Sequence, residues 1–322
     1  MIRDQDVVRL GCPDCEGRPL SLAAAASRDG ARLVSGTLSC ALCASRFPIE
    51  DGIPWLLPAG LHGSKHHGIE SFPEEWKRWG ERLEGFRGWR ARTWETEPEN
   101  RRKESEKLAR SRRSAFAAFC GSISGRALEV GCGDGSLRLE GSFRNSEYWG
   151  VDPMPIEGQL YEFPFVAGVG ERLPFRAGEF DAVIVKESLH HFQNPGRFLD
   201  EARRLTARGG ALLLCQGVEE SSEAVAASAG ARVLLARAAT AARLALRGDF
   251  SGIKDRMTRA LGAPGRGAHG ESGASGVGRD DDAHVMWHPT RDDVEFEVGR
   301  RFGVESSRMD GGVLYMKGRA RA

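Results

Sequence analysis

The most constraining feature of this 322-residue chain is a short apolar run that ends in a glycine turn, Ala127-Leu128-Glu129-Val130-Gly131-Cys132-Gly133-Asp134-Gly135. The run predicts a buried strand. Glycines placed directly after it let the backbone reach positive φ and approach a ligand closely. A Gly-x-Gly turn alone is weak evidence, but its expected sequel is present. Tyr148-Trp149-Gly150-Val151-Asp152 predicts a second strand ending in an acid 23 residues after Glu129. In a doubly wound α/β sheet that acid lies at the carboxyl end of strand two, where it accepts hydrogen bonds from both hydroxyls of a ribose. Asp181-Ala182-Val183-Ile184-Val185 predicts a third buried strand, followed by Lys186-Glu187-Ser188-Leu189-His190-His191-Phe192. A helix with apolar spacing at Phe198, Ala202 and Leu205 then leads through Arg208-Gly209-Gly210 into the strand Ala211–Leu214. Strands alternating with helices predict a parallel sheet.

Glu-x-Gly-x-Gly-x-Gly, Asp152, Glu171-Arg172-Leu173-Pro174-Phe175, Phe180-Asp181-Ala182-Val183, Leu189-His190-His191 and Gly209-Gly210 follow one another in order over about residues 125–217. In this the chain resembles the class I S-adenosylmethionine-dependent methyltransferases of the broad quinone-methyltransferase-like group. The first element is Glu-x-Gly-x-Gly-x-Gly and not Gly-x-Gly-x-x-Gly, which separates the chain from nicotinamide-dependent dehydrogenases. The resemblance implies an α/β fold, a Rossmann-like sheet of seven strands, and S-adenosyl-L-methionine as cofactor.

Carried over position by position, it also implies a site. Glu129 and the loop Gly131, Cys132, Gly133, Asp134 and Gly135 are expected at the methionine part of the cofactor, with Lys186 nearby. Asp152 and Pro153 are expected at the ribose, and Gly170, Glu171 and Arg172 along the adenine. One departure stands out. Many relatives carry an acid before an Ala-Glu pair, whereas here Val169 precedes Gly170-Glu171; the backbone at Gly170 or the Glu171 carboxylate is expected to take over that contact.

Methyl transfer from a sulfonium is an in-line displacement with a good leaving group already in place. The main task of the protein is to hold an acceptor lone pair in line and exclude water. A hydroxyl or protonated-amine acceptor also calls for a general base, for which imidazole is suited. His190 and His191 follow the third strand and are the catalytic candidates, against the alternative that they merely start a helix. Lys186 and Glu187 are weaker candidates of the same kind, and His284 and His288 are placed either at the acceptor pocket or on the surface.

A second pattern lies upstream. Cys12-Pro13-Asp14-Cys15 and Cys40-Ala41-Leu42-Cys43 are two Cys-x-x-Cys knuckles separated by 24 residues. Two knuckles close a tetrahedral four-thiolate Zn²⁺ site, and with every position filled by sulfur the metal is structural, not catalytic. A redox role fits poorly, because there are two pairs and no βαβ context around them. The segment 31–38 reads as part of a hairpin feeding the second knuckle. With the tail Pro48-Ile49-Glu50-Asp51-Gly52-Ile53-Pro54, residues 8–58 resemble the small zinc-ribbon proteins that partner tRNA and protein methyltransferases, and the zinc-binding front ends of some bacterial methyltransferases.

The expected organisation is a zinc ribbon over 1–60, a linker and helical cap region over 61–122, and a methyltransferase domain over 123–322. The last is interrupted by an insertion at about 218–285. Residues 61–68 read as a linker whose His62, His66 and His67 are solvated. Residues 72–115 hold Trp76, Trp79, Trp89 and Trp94 among 13 basic and 9 acidic residues. Such helices either pack on the next domain or stack bases and bind phosphates. The Ala-rich stretch 223–247 predicts a helix with basic and apolar surfaces, read as a lid or a homodimer contact ahead of a membrane-surface helix. Residues 262–282 are Gly-rich and predicted mobile. A helix near 290–300 and an antiparallel pair at about 303–309 and 312–318 close the domain.

Composition decides between partners. Lys+Arg 46 against Asp+Glu 45 gives a formal charge of +1, so no global field draws the chain to nucleic acid. A small or medium-sized acceptor, taking the methyl on O or N, is therefore expected ahead of an RNA. A cofactor-binding module without turnover is the third reading. No apolar run approaches the ~20 residues of a membrane helix. The start Met1-Ile2-Arg3-Asp4-Gln5-Asp6 has no signal-peptide architecture, so a cytoplasmic protein is expected. The remaining cysteines, Cys120, Cys132 and Cys215, are expected to pack as small buried groups.

Overall fold

In the computed structural model, residues 1–23, 26–58, 99–156, 158–192, 194–219 and 289–321 are described. The linker 61–68, the four tryptophans of the cap region, the helix at 223–247 with its dimer contact, the Gly-rich stretch, His284 and His288 all lie outside the described residues.

Two sheets organise the rest. The amino-terminal one is antiparallel and is built from β1 (Gly11–Cys12), β2 (Arg18–Leu22), β3 (Ser27–Asp29), β4 (Arg32–Cys40), β5 (Arg46–Glu50) and β6 (Ile53–Pro54). Their order is β1-β2-β4-β5-β6, with β3 also pairing β4. After the 22-residue helix α1 (Glu99–Cys120) come β7 (Ser124–Val130), β8 (Asn145–Asp152), β9 (Phe165–Ala167) and β10 (Phe180–Lys186). Helix α2 (Pro195–Leu205), β11 (Thr206–Gly217), α3 (Arg291–Gly299), β12 (Phe302–Asp310) and β13 (Val313–Ala320) complete the chain.

The second sheet has seven strands in the order β12-β13-β11-β10-β7-β8-β9. Strands β7 to β11 are mutually parallel, and β13 runs antiparallel to both β11 and β12. This is the expected α/β architecture, with the closing pair within a residue or two of its predicted bounds.

Strand alternation sorts the side chains to two faces. Leu128, Val130, Trp149, Val151, Val183, Val185, Leu212 and Leu214 belong to one buried cluster. Ala127, Tyr148, Ala182, Ile184, Leu213 and Cys215 belong to the other. On the first face α2 contributes Phe198, Leu199, Ala202 and Leu205, and α3 contributes Val294 and Val298. On the second, α1 contributes Phe116, Ala117 and Cys120.

The connections from β7 to β8 and from β8 to β9 contain no α-helix among the described residues. A parallel sheet needs both faces covered, and at this end the amino-terminal sheet supplies the cover. Its Ile2, Leu10, Leu33, Leu38 and Phe47 lie in the same buried cluster as Trp149, Phe175 and Phe180. The Trp149 ring meets Phe175 edge-on at 5.8 Å. Backbone bonds stitch the two sheets as well: Leu56 N–H donates to Ala167 O at 2.8 Å, and Gly11 N–H to Pro174 O at 2.9 Å. Gly17, at φ +83°, packs so closely on this seam that a Cβ there would stand 2.6 Å from the Phe175 carbonyl oxygen.

Candidate functional site

The carboxyl ends of β7, β8 and β10 lie side by side, and the residues singled out above gather there. The loop leaves β7 with Gly131 N–H and Cys132 N–H donating to Val151 O at 2.8 and 3.2 Å, which binds the turn to the end of β8. Gly131 has φ +72°, and a Cβ on it would meet the Ser188 side chain at 2.5 Å. Gly135, at φ +68°, would drive a Cβ to 2.2 Å from the Phe163 ring. Both positions therefore require glycine on two counts, backbone conformation and space.

Asp152 is held in the same knot. Its Oδ2 accepts from Gly133 N–H at 3.0 Å and its Oδ1 from Met154 N–H at 2.9 Å. An ionised carboxylate offers about four acceptor positions, enough to serve backbone donors and a diol together. Gly133 itself faces open space where a Cβ would stand. Pro153 follows half-buried, and Asp134 is exposed, its Oδ1 accepting from Ser136 N–H at 2.9 Å.

Glu129, one residue before the end of β7, is almost wholly buried, and the Tyr148 hydroxyl donates to its Oε2. Burial pushes the Glu129 carboxyl up to about 8, against the opposing pulls of the Tyr148 hydrogen bond and the Lys186 charge. Desolvation disfavours the ionised form unless a cation joins it. Lys186, the last residue of β10, pairs with Glu187 at 3.6 Å. Glu187 has φ +48°, unusual for a residue with a Cβ. Its N–H donates to Cys215 O at 2.7 Å, and Arg112 of α1 grips its Oε1 at 2.6 Å.

Gly170, Glu171 and Arg172 form a single 3₁₀ turn after β9. Gly170 packs under the Phe192 ring, 2.9 Å from where a Cβ would be. The Glu171 carboxylate is buried and its Oε1 accepts from Asn194 N–H at 3.3 Å, at the start of α2. Arg204 of α2 donates to the carbonyls of Leu173 and Phe175 at 2.9 and 2.8 Å, which fixes the path of the segment beyond the turn.

His190 and His191 occupy the 3₁₀ turn Leu189–His191 after β10, with ring centroids 3.9 Å apart. The turn is joined to the glycine loop by Ser188, whose hydroxyl donates to Gly131 O at 3.1 Å. His190 Nδ1 lies 2.9 Å from Nε2 and 3.3 Å from Oε1 of Gln216. Gln216 is buried near the end of β11.

The structure thus brings Glu129, the loop 131–135, Asp152, Pro153, Lys186 and the two histidines to one edge of the sheet, with the turn 170–172 beside it. Sequence reasoning missed Tyr148, Ser188, Gln216 and Arg112. Each acts through a partner on another strand or helix, and no local spacing marks such a pairing.

A second cluster lies in the amino-terminal sheet. Cys12, Cys15, Cys40 and Cys43 bring their Sγ atoms within 4.8 Å of one another, and Cys12 and Cys43 are 3.6 Å apart. Zn–S bonds of about 2.3 Å in a tetrahedron separate the sulfurs by roughly 3.8 Å, so the set is of the right size for zinc. Cys12 and Cys40 are buried and Cys43 is exposed. The remaining three cysteines, Cys120, Cys132 and Cys215, are all buried, as expected.

A family model described as "Methyltransferase domain" matches residues 128–214. The chain is 30% identical over 93 residues to the uncharacterized protein MJ1123 of Methanocaldococcus jannaschii, covering 28% of this chain and 43% of that one. It is 36% identical over 98 residues to the fatty-acid O-methyltransferase of Mycolicibacterium smegmatis, covering 27% and 35%. The chain therefore spans less than half the length of these curated relatives. Among solved structures it is similar to the 1,6-didemethyltoxoflavin-N1-methyltransferase of Burkholderia thailandensis, which holds S-adenosylhomocysteine. That likeness has 16% identity and a TM-score of 0.39 over 66% of this chain and 78% of that one. Residues 128–214, which match the methyltransferase domain model, form the centre of the seven-stranded sheet.

Proposed function

We propose that the protein transfers a methyl group from S-adenosyl-L-methionine to an oxygen or nitrogen of a small or medium-sized acceptor. The observation that carries this reading is the knot between two motifs, in which Asp152 accepts from Gly133 of the glycine loop beside the buried carboxyl of Glu129. When bound, the cofactor supplies an electrophilic methyl on a sulfonium.

The residues fit such a ligand. Glu129 would pair with the α-ammonium of the methionine part. The glycines at 131, 133 and 135 let the backbone approach, Asp152 and Pro153 edge the ribose, and Gly170, Glu171 and Arg172 edge the adenine. Lys186 stands at the carboxyl end of β10, beside the methionine part. His190 and His191 lie on the turn after that strand, where an acceptor enters, and hold it by a ring nitrogen. The near-zero net charge and the likeness to an O-methyltransferase support a small acceptor over RNA.

The four-cysteine cluster would hold one structural Zn²⁺, with Cys12, Cys15, Cys40 and Cys43 as thiolate ligands and no position left for a reactive water. It tethers the amino-terminal sheet that covers the β8–β9 end of the catalytic sheet. No described helix is long and apolar enough to cross a membrane.

The reading is tested by titrating S-adenosylhomocysteine into the protein by calorimetry, then following labelled methyl over a set of acceptors. Saturable one-to-one binding that weakens in Asp152→Ala supports it. Absence of binding overturns it.

A further inference from the structure

Resting on the cofactor reading, a row of alternating charges beside the glycine loop gives α1 a task. Strands β7 and β10 are parallel neighbours in which Glu129 stands opposite Ile184. Lys186, two residues beyond Ile184, lies on the same face of the sheet as Glu129. That is the face α1 covers through Phe116. Arg112, one turn before Phe116 on α1, meets Glu187 Oε1 at 2.6 Å. Lys186 Nζ stands 3.6 Å from Glu187 Oε2, near enough for an ion pair but beyond a normal hydrogen bond. Among the described residues its ammonium makes no hydrogen bond. Its charge is nevertheless felt at Glu129, where it opposes the upward push of burial on the carboxyl. The row Arg112, Glu187, Lys186, Glu129 thus runs from α1 to the buried carboxyl beside the glycine loop.

Glu187 is held against its own preference. Its φ of +48° is one that a residue with a Cβ adopts only at a cost, and its N–H is fixed on Cys215 O at 2.7 Å. Two cations flank its carboxylate, and Arg112 has the hydrogen bond while Lys186 does not. We propose that Arg112 is a positioning residue: by holding the Glu187 carboxylate it keeps Lys186 available for a carboxylate of the ligand, so that Lys186 and Glu129 together read a zwitterionic α-amino acid end. The ligand itself fixes the spacing. In an α-amino acid the ammonium nitrogen and the carboxyl carbon share one neighbour and lie roughly 2.5 Å apart. An ammonium seated on Glu129 therefore brings its own carboxylate close by, where a cation must offset the loss of water. Arg113, the next residue of α1, is engaged by Glu140 at 2.9 Å and Ser136 at 3.0 Å, and Arg112 by Glu187. Lys186 has donors to give, as a compact charge with three rotatable N–H groups.

Two measurements test this, both read as dissociation constants by calorimetry. The native protein should bind S-adenosylhomocysteine about 10- to 100-fold more tightly than its decarboxylated analogue, S-adenosyl-3-thiopropylamine, the effect of one charge-assisted hydrogen bond. Lys186→Met should weaken S-adenosylhomocysteine by a similar factor and shift the decarboxylated analogue by less than about threefold. Equal native affinities for the two ligands would overturn the carboxylate assignment, and that comparison needs no variant to fold. A Lys186→Met variant that weakens both ligands alike would overturn it too. The second measurement separates positioning from plain support of the fold. Arg112→Met should lose roughly tenfold in affinity for S-adenosylhomocysteine, because the Glu187 carboxylate then closes on Lys186. Adding Glu187→Gln should bring affinity back to within about threefold of native, since the competing charge is gone. A double variant as weak as Arg112→Met, or unchanged affinity in Arg112→Met itself, would sink the idea. The nucleoside 5′-methylthioadenosine, which lacks the amino acid end, keeps the two readings apart. A chain that binds none of the three ligands fails at the cofactor reading. One that binds all three alike keeps that reading and loses this one.

Discussion

Inside the carboxyl end of the catalytic sheet, the Tyr148 hydroxyl donates to the Glu129 carboxylate, and Tyr148 lies in the buried cluster of that face with Ala127, Ala182 and Ile184. The pair explains how a carboxyl that is almost wholly buried is tolerated. A hydrogen bond to the ionised form offsets part of the desolvation cost, while burial still holds the group up at about 8.

A pH dependence follows. The folded pKa of Glu129 is raised above the unfolded value of about 4.3, so its contribution to stability is fully present below pH 4 and is lost as pH rises through about 8. The ligand-free protein should lose thermal stability over that window, and Glu129→Gln should flatten the slope. Tyr148→Phe should push the carboxyl higher still. Calorimetry of S-adenosylhomocysteine binding near pH 7 in buffers of different ionisation enthalpy should show proton release, because the ligand ammonium favours the carboxylate. No release in the native protein would argue against Glu129 as its partner.

Asp152 couples the loop to the second strand through Gly133 N–H and Met154 N–H. Asp152→Ala should raise the dissociation constant for S-adenosylhomocysteine by roughly 10- to 100-fold, since charge-assisted hydrogen bonds contribute about 1.5–3 kcal/mol each. Asp152→Asn should lose less. An unchanged constant in Asp152→Ala would remove this residue from the cofactor site.

The metal should matter beyond its own knuckles. Zinc analysis is expected to find about one ion per chain, absent in Cys40→Ala. Because Leu10, Phe47 and Trp149 share one buried cluster, stripping the ion should lower the melting temperature of the catalytic sheet too, and not only melt the first 58 residues. Two independent transitions, with the catalytic one unmoved, would count against this coupling.

The same shared core predicts that Trp149→Ala costs about 3–5 kcal/mol, the usual range for emptying a large aromatic site. Denaturant titration would measure it. Part of that loss should be felt as weaker zinc retention, since the ring packs on Phe175 and Phe180 and shares its buried cluster with amino-terminal side chains.

Histidine 190 yields the most direct kinetic test. His190→Ala should depress turnover roughly 10- to 100-fold while leaving affinity for S-adenosylhomocysteine within about threefold, because a ring that positions or deprotonates the acceptor acts on the acceptor and not on the cofactor. A loss confined to cofactor affinity would place the ring on the wrong side of the site.

The chain announces its local chemistry through short-range rules. A glycine turn after an apolar run, an acid some twenty residues on, two Cys-x-x-Cys knuckles and a final antiparallel pair depend on neighbours a few residues apart. Backbone conformation and alternation of burial enforce them directly, so the strands at 127–130, 148–152, 181–185 and 211–214, the α/β class and the four-sulfur set were all legible. What joins distant segments was not. That the amino-terminal sheet shares one core with the catalytic sheet, and covers the end whose connections contain no described α-helix, follows from how Leu10, Phe47, Trp149 and Phe175 pack. No periodicity encodes such a meeting. The same holds for Tyr148 on Glu129, Ser188 on Gly131 and Gln216 on His190. Each pair lies 19 to 57 residues apart, and only strand order and register set its distance. Residue type and spacing therefore determined which chemical groups stand at the sheet edge. Tertiary structure alone decided their protonation and orientation, because burial and the partner across the sheet control those.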